Sequence, residues 1–283
     1  MVKINVTPIE SASNNIVYAS PITKIWTPIF PILCSIFGIT ALFTGYIIAV
    51  LNDHVDKWLP LISDGGAIPP ESCVFGLLLN ICVFFWILTC FCIHIQVLQH
   101  IMYHDRFHTK HKNVLYVMLF FAILSGIGIA LVANFPLSTV RPVHSYGAMV
   151  GFLSGVIYAW CYITLVKILK PKVIPKKLLI FRLLLIIFVS IVVVLHEICL
   201  HTTFLVKRTP DGHVPPVPFW PKSTNILRLD PESPYYTNFI VGRICEWSLA
   251  VGYFIVVGSL SYELNYFEIK TFSSAQTINI QIK

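Results

Sequence analysis

The stretch L-L-I-F-R-L-L-L-I-I-F-V-S-I-V-V-V-L-H-E-I-C-L-H, from Leu178 to His201, decides the fold. Wound as a helix it is apolar all round, with no charged face that water could wet. A helix rises 1.5 Å per residue, so about 20 such residues cross the roughly 30 Å hydrocarbon layer of a bilayer. Five further runs meet the same test: Ile29–Leu51, Val74–Val97, Val114–Asn134, Ser145–Val166 and Phe239–Tyr262. The sequence therefore predicts an all-α integral membrane protein, a bundle of six transmembrane helices.

Composition agrees. Of 283 residues, 56% are apolar and 12% charged, and the mean hydropathy is +0.77. Six spans leave no room for a separate soluble domain, which gives 1–27 as an N-terminal tail, 28–264 as the transmembrane domain and 265–283 as a C-terminal tail. The first tail has no signal-peptide apolar core, so the first span is expected to be retained. An even number of spans puts both tails on one side. That side carries thirteen Lys and Arg, the opposite loops six, and Arg243 lies within the last span. Basic short loops stay in the cytosol, so both termini are expected there. The charge of +7 is then a topology signal, and nucleic-acid binding is excluded.

Seven of the eight cysteines fall within spans, which is no disulfide framework. Cys90 and Cys92, near the cytosolic end of the second span, read as packing residues ahead of palmitoylation sites. His100, His104, His108 and His111 share a helical stripe. Apart from Asp105, no Cys or carboxylate completes a metal shell there, so a solvated or lipid-facing stripe is preferred to a metal or pH-sensing site. Neither metal nor cofactor is expected anywhere in the chain. The H-E-x-x-x-H of His196 to His201 sets its histidines about 140° apart on a helix, which rejects a zinc protease. Gly147, Gly151 and Gly155, four apart, predict close helix packing, inside the monomer ahead of between monomers.

The loop from Trp58 to Cys73 is rich in turn residues. Gly65 and Gly66 permit positive φ, Pro69 and Pro70 fix an extended approach to the second span, and a defined cap over the bundle is expected. Beneath it, on the far side, the sequence gathers Asp64, Glu71, Asn80, Asn134, His144, His196, Glu197, Arg243 and Glu246. Ionisable groups in a span need a partner or a purpose. Three readings compete. Arg243 pairs with Glu246 or Glu197 and fixes register; the cluster binds a phospholipid headgroup with Arg243 on phosphate; or His196 or His144 serves as a general base. The structural reading leads, and lipid binding follows.

The stretch Leu59–Gly76 with Asn80, Val132–Phe135 with His144, Cys245–Ser248 and Ser261–Glu263 together resemble the damage-regulated autophagy modulator (DRAM) family. Pro69–Cys73 and Ser261–Glu263 also resemble the transmembrane protein 150 branch. The resemblance implies six spans, cytosolic termini and a lysosomal or plasma-membrane regulator of autophagy and cell survival. More distant relatives act in GPI-anchor lipid remodelling or organise a phosphoinositide kinase. It carries over no catalytic residue. The reading is a non-enzymatic endomembrane protein whose partners are membrane lipids. The rivals are a lipid-remodelling enzyme using His144, His196 and Glu246, and a plasma-membrane kinase scaffold recruiting through the basic loop Lys167–Arg182.

Overall fold

The computed structural model describes residues 21–104, 109–169, 172–219, 226–228 and 230–272. In chain order its helices are α1 Ile29–Leu51, α2 Ile62–Gly65, α3 Glu71–His104, α4 Thr109–Asn134, α5 Arg141–Ile168, α6 Lys176–His201, α7 Tyr236–Ser259 and α8 Ser261–Leu264. Five of the long helices contain their apolar runs whole, the sixth run continues from α7 into α8, and all six spans are long and apolar enough to cross a membrane. Large apolar side chains such as Ile36, Leu77, Phe84, Leu184 and Ile191 point outward. Water would not tolerate such a belt; hydrocarbon solvates it. Pro175 stands just before α6, and Pro142 lies in the first turn of α5, where its missing N–H costs nothing.

The long helices form a ring in chain order, with α7 closing against α1. Polar ties cross the seams. Trp86 Nε1 donates to the Ala122 carbonyl (2.9 Å), Ser125 Oγ to the Gly151 carbonyl (2.8 Å), and Ser35 Oγ to the Phe254 carbonyl (2.8 Å). The α4–α5 seam is the tightest. A Cβ on Gly128 would lie 2.3 Å from the Gly151 nitrogen and 2.6 Å from the Gly147 carbonyl oxygen. The glycine stripe thus packs inside the monomer, as the first of its two readings held. Contact between α5 and α6 is sparse, and the Trp160 Nε1–Ser190 Oγ bond (3.0 Å) crosses the seam near its middle.

At the end of the ring that carries the termini, the tails meet as an antiparallel ribbon of β1 Pro21–Trp26 and β2 Glu268–Phe272, an addition to the all-helical expectation. Thr27 Oγ1 donates to the carbonyls of Leu264 (2.9 Å) and Phe267 (2.6 Å), tying the two tails together. The same end holds a buried ion pair. Arg182 binds both carboxylate oxygens of Glu263 and, through Nε, Ser259 Oγ (2.8 Å); Tyr162 donates its hydroxyl to Glu263. Arg182 was counted with the basic loop Lys167–Arg182. It is 1% exposed, and recruitment through that loop loses this cation.

At the opposite end, residues 52–70 fold into a cap around α2. Gly65 and Gly66 do not adopt positive φ; among the described residues that conformation falls to Asp53, Leu59 and Gly212. The two glycines serve close approach. A Cβ on Gly66 would strike the Phe75 ring at 2.5 Å, and one on Gly65 would press on the Tyr46 backbone at 3.2 Å. The Pro69–Pro70 peptide is cis. Ala67 and Val55 of the cap join Ala49, Leu137 and Ile226 in a small apolar core, so the last loop lies over the cap. Cys90 and Cys92 are buried in the main core, as packing requires. His108 and Asp105 lie outside the described residues.

Candidate functional site

A ring of six helices leaves a middle to be filled, and here part of it is empty. A cavity of about 490 Å³ runs from the cap end into the bundle. Its deep walls are Cys34, Leu79, Cys82, Trp86, Phe152 and Phe254; its upper walls are Ser63, Arg141, His144, His196, Glu197 and Glu246. From Phe75 to Trp86, both lining, α3 advances about 16 Å. That is the depth of one leaflet's hydrocarbon. Exposed residues also border the space: Ser145 on α5, His201 at the end of α6, and Val217. The cavity therefore opens toward the outside at the cap end, beside the loose α5–α6 seam. Its size falls within the range of ligand pockets, roughly 300–1,000 Å³.

The roof is held by Glu246. Its Oε2 accepts from the Ile62 N–H and its Oε1 from Ser63 Oγ, both at 2.8 Å. The neighbouring Trp247 donates Nε1 to the Pro60 carbonyl (2.9 Å), and Ser138 Oγ donates to the Ala67 carbonyl (2.5 Å). Burial pushes the Asp64 carboxyl, in the cap, up to about 7; Arg243 opposes the rise and Glu246 adds to it. Its Oδ1 has no hydrogen-bond partner.

Two histidines border the cavity in the same manner. His144 Nδ1 donates to the Phe135 carbonyl (2.8 Å), and His196 Nδ1 to the Gly242 carbonyl (2.9 Å). A carbonyl only accepts, so in each neutral ring the proton is on Nδ1 and Nε2 is left as an acceptor. His144 is 2% exposed, and its Nε2 has no hydrogen-bond partner.

Of the nine residues gathered from the sequence, the structure brings His144, His196, Glu197 and Glu246 to the cavity wall. Asp64 is buried in the roof. Glu71 is buried and pairs with His54 (2.6 Å). Asn80 and Asn134 form a reciprocal pair, at 3.2 and 3.0 Å, on the exposed flank of the α3–α4 seam. Arg243 makes neither ion pair expected of it; its Nη2 donates to the Leu227 carbonyl (3.0 Å), fastening the last loop. Glu197 pairs instead with His201 (3.2 Å), one turn on. Sequence reading passed over Ser63 and Trp86 as wall residues. Nothing in an unbroken apolar run marks which side chain faces a void.

Together these features define a multi-pass helical membrane protein with an amphipathic internal pocket. The chain belongs to the family described as Frag1/DRAM/Sfk1/Cwh43P N-terminal domain, which matches residues 26–267. It is 33% identical over 210 residues to DNA damage-regulated autophagy modulator protein 2 of Mus musculus, covering 74% of this chain and 73% of that one. It is 28% identical over 225 residues to DNA damage-regulated autophagy modulator protein 1 of Homo sapiens, with 79% and 84% covered. The Modulator of macroautophagy TMEM150B of Danio rerio is 33% identical over 136 residues, 47% of this chain and 54% of that one. No solved structure matches. The chain is thus a DRAM-type membrane protein.

Proposed function

We propose that this protein modulates autophagy from an endomembrane, most naturally the lysosomal one, by binding a membrane lipid in the cavity without transforming it. The observation that carries the reading is the pocket itself: polar at the cap end, where it opens, and apolar for one leaflet's depth below. Its relatives are named autophagy modulators, which supports the process; the basic excess on the ribbon side supports cytosolic tails and a cap on the lumenal side.

The rival lipid-remodelling reading needs Glu246 beside His144 and His196. Both Glu246 oxygens already hold the cap, which favours binding over catalysis. The phosphate role given to Arg243 is also weakened, since that side chain is turned to Leu227.

Ala250 and Ala148 line the cavity from α7 and α5, so Ala250→Trp and Ala148→Trp fill it from two walls. Cells lacking the protein and re-expressing either variant should show normal abundance and membrane targeting but no restoration of autophagic flux. Full restoration by both variants would overturn the proposal.

A further inference from the structure

We propose that the pocket takes an uncharged lipid with one long chain and a hydroxyl-bearing headgroup, its hydroxyls donating to Nε2 of His144 and His196. This rests on the lipid-binding reading above and names the class of lipid. Three observations lead to it.

First, the two rings have their tautomers set by the protein. The Phe135 and Gly242 carbonyls hold the proton on each Nδ1. A neutral ring then offers a lone pair at Nε2, which suits a hydroxyl and repels a phosphate oxygen. The His144 acceptor is buried without a partner, a condition that a bound donor relieves.

Second, Glu246, Ser63 and Asn238, which share this level of the cavity, are already engaged. Glu246 accepts two bonds from the cap, and the Ser63 hydroxyl donates one of them. Asn238 gives its amide to the Cys199 carbonyl (2.6 Å) and receives the Leu205 N–H (3.1 Å). The side chains best placed to discriminate are therefore the two histidines.

Third, the fixed charge of the wall is unfavourable to an anion. The bordering permanent charges are Arg141 on one side of the balance and Glu197 and Glu246 on the other. Arg141 also acts on the buried Asp64. A headgroup bearing phosphate would meet Glu197 and Glu246 against Arg141 alone, with Arg243 turned away to the Leu227 carbonyl and no Arg cluster of the kind that binds phosphate. Below the rim, a wall one leaflet deep accommodates a single chain.

The test uses the full-length protein in nanodiscs at pH 7.5, with three oleoyl probes whose affinities are read by competition. Monooleoylglycerol has hydroxyls, methyl oleate has none, and oleoyl lysophosphatidic acid adds a phosphate. Monooleoylglycerol should bind about tenfold more tightly than methyl oleate, the combined worth of two modest hydrogen bonds, and more tightly than the lysophosphatidic acid. His144→Asn keeps a donor for the Phe135 carbonyl while removing the ring acceptor. It should cut monooleoylglycerol binding about threefold, the share of one of the two bonds, and leave methyl oleate unchanged; His196→Asn should do the same and serves as the second variant, should the first fail to fold. Tighter binding of the lysophosphatidic acid, or equal binding of the ester and the glycerol, would overturn the inference and leave lipid binding intact. No binding of any probe would remove the lipid-binding reading itself.

Discussion

Glu246→Ala should release the cap while leaving the bundle folded. The carboxylate accepts the Ile62 N–H and Ser63 Oγ at 2.8 Å each, and Ile62 is buried. A hydrogen bond to a charged group contributes about 1.5–3 kcal/mol, so removing two costs about 3 kcal/mol at the lower limit. The adjoining cavity lets water replace part of what is lost, which keeps the effect near that limit. At about 1.4 kcal/mol per tenfold, the opening equilibrium of the cap shifts by roughly a hundredfold. Hydrogen exchange in detergent micelles reads this directly. Amides of residues 61–67 should exchange about a hundredfold faster in Glu246→Ala, about tenfold faster in Ser63→Ala, and less than tenfold faster in Trp247→Phe, which loses only the bond to the Pro60 carbonyl. Amides of α4 should keep their rates in all three. Exchange within threefold of wild type in Glu246→Ala would show that the carboxylate does not hold the roof.

Other expectations follow from the same geometry. Gly128→Val sets a branched side chain against the backbone of α5, 2.3 Å from a nitrogen, and should abolish the thermally stable species in size-exclusion assays, with a cost of at least the ~1–3 kcal/mol typical of overpacking. Arg182→Leu leaves Glu263 charged and buried and should cost about 3–5 kcal/mol, whereas the double variant Arg182→Leu/Glu263→Leu should recover much of it in a thermal-shift assay. Asp64 gives a pH dependence. Its folded pKa of about 7 lies above the ordinary 3.8, so the folded state binds the extra proton between those values. This contribution to stability is complete below pH 4 and is lost as pH rises toward 7, by up to about 1.4 kcal/mol per pH unit. Protection factors of the cap amides in wild type, corrected for the intrinsic pH dependence of exchange, should therefore fall over that window, and Asp64→Asn should flatten that profile.

The spans were legible because hydrocarbon leaves a backbone few choices: all its N–H and C=O groups must bond within the segment, and an apolar run of sufficient length reports that directly. The cap was legible from its turn residues, yet the use of Gly65 and Gly66 was not. Whether a glycine supplies positive φ or merely room depends on what packs against it, here Phe75 and Tyr46. Arg182 was misread for a related reason. It follows Lys176 and Lys177 closely in sequence, while its partner Glu263 lies 81 residues away, on the helical turn after α7. The candidate site was half legible. Polar residues in spans marked the end of the bundle at which the cavity lies, but separating His144 from Asn134 needs the ring closed, since one borders the interior and the other the flank. The cavity left no trace in the sequence, because a missing atom has no letter.

Native mass spectrometry of the full-length protein, released from mild detergent, tests the central claim most directly. Wild type should retain one endogenous lipid per chain, and Ala250→Trp, equally folded and monodisperse, should emerge without it. Wild-type protein that emerges bare, or a filled cavity that retains the same lipid, would contradict the account.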